Sequence, residues 1–248
     1  MRQGTVAVGY LDPGSWSACF GLSYRDLILR DVVTGSHRVL YPGARDIRRV
    51  CGPADVAQGR NHVAQVFLDE TDAEWLWFVD TDMGFADDTV DRLVASAHPV
   101  EAPVVGALCF QLKAVGPSSF NGRRYEIRPT LFDWAEIGGE SGFMPVFDYP
   151  RDALVQVSAT GAACLLIHRW VLTEIRKTAS DGWFDPVTVA QPDGGKPRTF
   201  SEDLSFCVRV AQAGYPLWVN TSVKTTHDKH GIFLDEEAYD RDRQVGDG

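Results

Sequence analysis

Asp80-Thr81-Asp82 sets two carboxylates one residue apart at the end of an apolar run. Like charges that close repel unless something positive lies between them. A hard divalent cation held together with a diphosphate meets that need; the plainer reading is that the two acids cap a turn before Ala86. Glu202-Asp203 opens a second position. It either complements the positive end of a helix or supplies a general base for an acceptor hydroxyl. His227 and His230 lie in a Thr-His-Asp-Lys-His stretch. Either imidazole could give a metal the ligand that a carboxylate pair lacks, and either could simply be solvated. Arg60 falls on the helical arc of Val56, Val63 and Phe67, so it snorkels past the core edge or points at an anion. Trp134, Trp183 and Phe184 could stack on a sugar or base, but cover for a small core is the preferred reading.

These residues need elements to carry them. Alternation of β-rich runs with helical spacing predicts strands at 5–10, 38–41, 74–80 and 104–110, with helices at 16–29, 53–70 and 86–97. The run at 74–80 is almost continuously apolar, as a central parallel strand should be. Residues 111–149 read as hairpins and loops, 154–168 as strand-like, 169–177 as a helix and 181–199 as a mobile loop. A helix follows at 201–213, with Ser201 as N-cap candidate and Gly214 as the stop. A last strand at 217–223 leads to the histidines. Such alternation gives an α/β fold, with ligands bound beyond the carboxyl ends of the strands, where Asp80 and Asp82 fall.

The 248 residues carry 44% hydrophobic and 23% charged side chains, which excludes disordered, collagen-like and coiled-coil chains. The net charge is −10, and the acid-rich stretch 235–248 contributes part of it. That balance disfavours duplex nucleic acid and anionic membranes as partners. No signal peptide or spanning segment is expected. Five scattered cysteines, Cys19, Cys51, Cys109, Cys164 and Cys207, read as reduced thiols of a cytoplasmic protein. Phosphate-loop, dinucleotide-binding, H-E-x-x-H and G-x-S-x-G patterns are absent. With no internal repeat or clear linker, a single domain is expected.

In order along the chain, the strand at 5–10, Gly59-Arg60-Asn61, Asp80-Thr81-Asp82, the Glu202-Asp203 helix with Arg209 and Gly214, and Thr226-His227 resemble the GT-A glycosyltransferases. The likeness is to the family 2 type, including small bacterial and phage versions, and covers roughly residues 4–233. It implies one domain over 1–234, with a nucleotide-binding half to about residue 110, an acceptor-side half from 111, and an acidic tail at 235–248. The fold implied is a mixed, mostly parallel sheet flanked by helices. The activity implied is metal-dependent transfer of a sugar from a nucleotide-diphosphate donor, UDP-linked by preference, to an acceptor hydroxyl with inversion. By the same resemblance Tyr10 and Asp12 lie near the base, Arg60 near the diphosphate and Asp80 at the ribose or metal. Asp82 and His227 bind Mn²⁺ or Mg²⁺, and Asp203 is the catalytic base. The acceptor could be a protein, a glycan, a lipid carrier or a modified nucleobase. The Q-x-x-R-W motif of processive members is missing, so a polymerising synthase is not expected. The rival readings are a nucleotidyltransferase acting on sugar phosphates and an inactive nucleotide-sugar-binding module.

Overall fold

A computed structural model describes residues 1–115, 124–137, 140–192 and 194–246. The chain opens with β1 (Arg2–Asp12), α1 (Ala18–Thr34), β2 (Ile47–Val50), α2 (Val56–Glu70) and β3 (Ala73–Val79). Next come β4 (Met83–Phe85), α3 (Thr89–Ser96), β5 (Val104–Leu108) and four strands paired in twos: β6 (Phe110–Val115) with β7 (Arg124–Pro129), and β8 (Leu131–Ile137) with β9 (Glu140–Pro145). Then follow β10 (Leu154–Val157), β11 (Ala159–Thr160), β12 (Cys164–His168), α4 (Arg169–Ala179), β13 (Thr188–Val189) and β14 (Arg198–Thr199). The chain closes with α5 (Glu202–Gln212), β15 (Leu217–Lys229), β16 (Ile232–Leu234) and α6 (Glu236–Gly246).

The central sheet runs β10-β15-β5-β12-β3-β1-β2, with β4 and β16 added to the far end of β15. Along that path β15, β5, β3, β1 and β2 point one way, while β10 and β12 run against them. The sheet is therefore mixed and mostly parallel, with helices on both faces. All seven residues of β3 are buried, and strand alternation sends them to two cores. Leu76 and Phe78 pack with Val63 and Phe67 of α2, Leu172 of α4 and Phe206 of α5. Trp75, Trp77 and Val79 pack with Phe20 of α1 and Leu93 of α3. The carboxyl ends of β1, β3 and β5 gather Asp12, Asp80 and Phe110 along one rim.

Several local expectations are corrected. Residues 38–41 form no strand: the amides of Arg38 and Leu40 donate to the buried Asp31 carboxylate, at 2.9 and 2.8 Å, rather than to a ladder. The second strand is β2. The helix expected at 86–97 begins only at Thr89, because 83–85 are drawn into pairing with β15, which leaves Asp87 and Asp88 ahead of it. The strand expected at 154–168 is broken into β10, β11 and β12. The loop 181–199 is anchored by fully buried Trp183 and Phe184 and carries the β13–β14 pair. The last strand runs on to Lys229, so His227 lies within it. Of the hairpin-rich stretch 111–149, residues 116–123 and 138–139 lie outside the described residues, as do 247–248 of the acidic segment. Most of that segment folds as α6, whose Tyr239 packs 5.2 Å from the Phe110 ring and whose Asp242 accepts from the Ile127 amide at 2.9 Å.

A candidate cation and nucleotide site

The chain turns sharply after β3, with the Met83 amide bonded to the Asp80 carbonyl at 3.1 Å. β4 then pairs antiparallel with β15, Met83 opposite His227, and the Asp228 amide donates to the Asp82 carbonyl at 2.8 Å. His227 and Lys229 flank Asp228 on the same side of the strand. Both reach one oxygen of Asp82: His227 Nε2 lies 3.1 Å and Lys229 Nζ 2.9 Å from Oδ2. Burial pushes the Asp82 carboxyl up, but the bond and charge of His227, then those of Lys229, outweigh it and hold the group at about 2. The Phe110 carbonyl can only accept, so His227 Nδ1 donates to it across 2.9 Å. That bond turns Nε2 toward Asp82, the orientation in which an imidazole binds a metal. His230 lies on the exposed hairpin tip at φ +56°, away from this contact.

Arg60 is 4% exposed, and its guanidinium is bonded inside the protein. Its Nη2 donates to both Asp80 oxygens, at 3.1 and 3.3 Å, and Nη1 donates to the Ala162 carbonyl at 3.2 Å. The guanidinium lies 5.6 Å from the Phe78 ring centroid and 6.0 Å from that of Phe184. Burial lowers its proton affinity, yet Asp80, Asp203 and Glu202 together raise it above the usual value. Gly59 lets α2 lie this close to β1, since a Cβ there would stand 2.9 Å from Leu11 Cδ2.

Asp203 sits in the first turn of α5, as expected. Ser201 is the N-cap residue of α5 as expected, but its hydroxyl makes no capping bond and donates to Asp203 Oδ1 at 3.0 Å instead. Oδ2 faces Gly161, where a Cβ would be 3.5 Å away. Glu202 beside it is pushed up by burial and by the charge of Asp203. Two carboxylates at the head of α5 therefore share the field of Arg60 with Asp80.

At the end of β1, both oxygens of buried Asp12 are committed: Oδ1 accepts from the Gly14 amide at 2.7 Å and Oδ2 from Arg48 Nε at 2.5 Å. The Gly14 amide foremost, with Arg48 and against burial, holds the carboxyl below its usual range. Tyr10 is buried and meets Trp16 edge-on at 5.6 Å. Trp16 is 44% exposed and offers the rim an aromatic surface. Trp134 is partly exposed but packs on Phe143 and Phe200.

The structure thus joins Asp82 with His227, and Asp80 with Arg60 in the field of Asp203, while Tyr10 and Asp12 form a separate end of the rim. Sequence reasoning missed Lys229, Arg48 and Trp16. Lys229 had one signal, its spacing of two from His227. Among the described residues no group of three or more His, Cys, Asp or Glu side chains is gathered to enclose a metal. Asp82 and His227 are the two groups here whose donor atoms could serve a divalent cation, with Lys229 on the same carboxylate oxygen.

No protein-family model and no curated protein sequence matches the chain. Solved structures do. A197 from STIV is similar with a TM-score of 0.52 at 14% identity, over 94% of this chain and 91% of that one. GalNAc-T7, solved with UDP, GalNAc and Mn²⁺, is similar with a TM-score of 0.50 at 13% identity, over 92% of this chain. The chain spans 44% of the length of that GalNAc-T7 chain. These are likenesses of fold, and they agree with the mixed α/β architecture expected from the sequence.

Proposed function

We propose that the protein is a GT-A-type glycosyltransferase that moves a sugar from a nucleotide diphosphate, UDP by preference, to an acceptor hydroxyl. The observation that carries the reading is the convergence of Asp82 and His227, 3.1 Å apart, with the imidazole aimed by the Phe110 carbonyl. The fold shared with GalNAc-T7, which is solved with UDP and Mn²⁺, supports it. Asp82 and His227 would hold Mn²⁺ or Mg²⁺, and the bound cation supplies Lewis-acid stabilisation of a departing diphosphate. The rest falls to the chain's own groups. Asp80, immobilised by Arg60, presents a fixed acceptor edge toward a ribose. Tyr10 and Trp16 give the base an apolar wall; Asp12, saturated by Gly14 and Arg48, shapes the loop rather than bonding the base. Asp203 Oδ2, beside the small Gly161, would accept the proton of the acceptor hydroxyl as its oxygen bonds to the anomeric carbon and the bond from that carbon to the diphosphate oxygen breaks; attack opposite the departing UDP in this single displacement gives inversion. The five free thiols suit a reducing, cytoplasmic compartment.

Product analysis tests the reading. Incubation with UDP-sugars and Mn²⁺ should release UDP, slowly to water when no acceptor is present; release of pyrophosphate would instead identify a nucleotidyltransferase. Asp203→Asn should lower turnover by about 10²–10⁴-fold while UDP affinity stays within about twofold. Equal loss of both would remove Asp203 from the role of base.

A further inference from the structure

Asp82 Oδ2 is shared. A divalent cation bound there meets the Lys229 ammonium, which lies 2.9 Å from the same oxygen. Two cations on one carboxylate oxygen repel, and the more mobile one moves. The Lys229 side chain is 40% exposed on a flexible stem at the end of β15, beside the hairpin tip of His230 and Gly231, and Asp82 is the only bonded partner of its ammonium among the described residues. His227, by contrast, is fixed through Phe110. Lys229 lies on the same side of the strand as His227, so when it leaves Asp82 its charge stays next to the cation position. That is where the oxygens of a metal-bound diphosphate must lie.

We propose that Lys229 is a placeholder cation and a diphosphate ligand. Without ligand it neutralises Asp82; when a nucleoside diphosphate arrives it transfers to the phosphate oxygens and frees Asp82 for the metal. This rests on the nucleotide-sugar reading above and extends it to the order of binding. Metal alone binds weakly, because it competes with the lysine. Nucleoside diphosphate binds measurably without metal, because the lysine serves it. Metal and nucleotide therefore bind cooperatively, each raising the affinity of the other by the same factor.

The test uses the intact protein and three variants, Lys229→Met, Lys229→Arg and Asp82→Ala. Mn²⁺ alone is titrated by the electron paramagnetic resonance signal of the free ion, and UDP by calorimetry in EDTA and in Mn²⁺. Lys229→Met should bind Mn²⁺ alone about tenfold more tightly than wild type and bind UDP in EDTA about tenfold more weakly. Lys229→Arg should stay near wild type in both, and Asp82→Ala should lose the Mn²⁺ site. Unchanged or weaker Mn²⁺ binding by Lys229→Met overturns the placeholder. Unchanged UDP affinity in EDTA overturns the diphosphate contact. If wild type takes up Mn²⁺ but binds no UDP under any condition, the nucleotide reading fails and takes the diphosphate contact with it, while the Mn²⁺ titration still decides the competition for Asp82.

Discussion

Asp80 and Asp82 look equivalent in the sequence, but their surroundings separate them. Asp80 is the counter-charge of a buried arginine; Asp82 is a part-exposed partner of His227 and Lys229. Asp80→Ala leaves Arg60 in the core without its carboxylate and should cost about 3 kcal/mol. Asp82→Ala removes a part-exposed pair partner and should cost about 1 kcal/mol. Urea unfolding midpoints at constant m-value separate the two cases; equal losses would refute the assignment of Arg60 to Asp80. The acid pair itself was legible, because its position after an apolar run points to the end of a central strand. The partner of Arg60 was not. Helical geometry places an arginine on an arc, but whether a carboxylate twenty residues away meets it depends on how α2 packs on β3. Lys229 was hidden for a similar reason: its facing matters only once 224–229 are known to be strand.

At the level of elements, the strongly patterned pieces were legible: β1, α1, α2, β3, β5, α4 and α5 follow from apolar spacing. The failures share one physical cause, competition from a partner outside the segment itself. The 38–41 segment has β-forming residues, yet Asp31 takes its amides. Asp31 is 5% exposed. Burial pushes its carboxyl up, but the Ser36 hydroxyl and the Leu40, Arg38 and Val39 amides bring it below the usual range. A lowered folded value stabilises the protein above the unfolded carboxylate range, about pH 4, and that contribution disappears as pH falls through the folded value. Asp31→Asn should therefore cost about 2 kcal/mol at pH 7, from weakened bonds to buried donors. The gap in urea midpoint between it and wild type should narrow once pH falls below the unfolded carboxylate range, about pH 4, and close as it passes through the lowered folded value. A gap that stays constant with pH would show that the charge on Asp31 does not hold the turn.

At the scale of the whole molecule, the α/β class was readable from alternation alone, and with it the position of Asp80 just past the end of a central strand. The reversed β12 between β5 and β3 was not, since strand order and direction are set by contacts far apart in sequence. The sheet divides the interior into two cores and leaves a rim that carries Asp12, Asp80 and Asp82. A ligand that binds only the folded form, at 100 times its Kd, adds about 2.7 kcal/mol. In a chain of this size each kcal/mol raises Tm by about 2–4 °C. UDP with Mn²⁺ should then raise Tm by about 5–10 °C, and Asp82→Ala should reduce that shift sharply. An equal shift in the variant would move the cation elsewhere.

The sequence distances across the rim also set an order in time. Asp80 meets Arg60 across 20 positions, whereas Asp82 meets His227 across 145. As the polypeptide leaves the ribosome, the first acid can be neutralised while most of the chain is still untranslated. The second waits for β15, nearly the last strand made. A product that ended before β15 would lack both His227 and Lys229, and Asp82 would have neither of its partners.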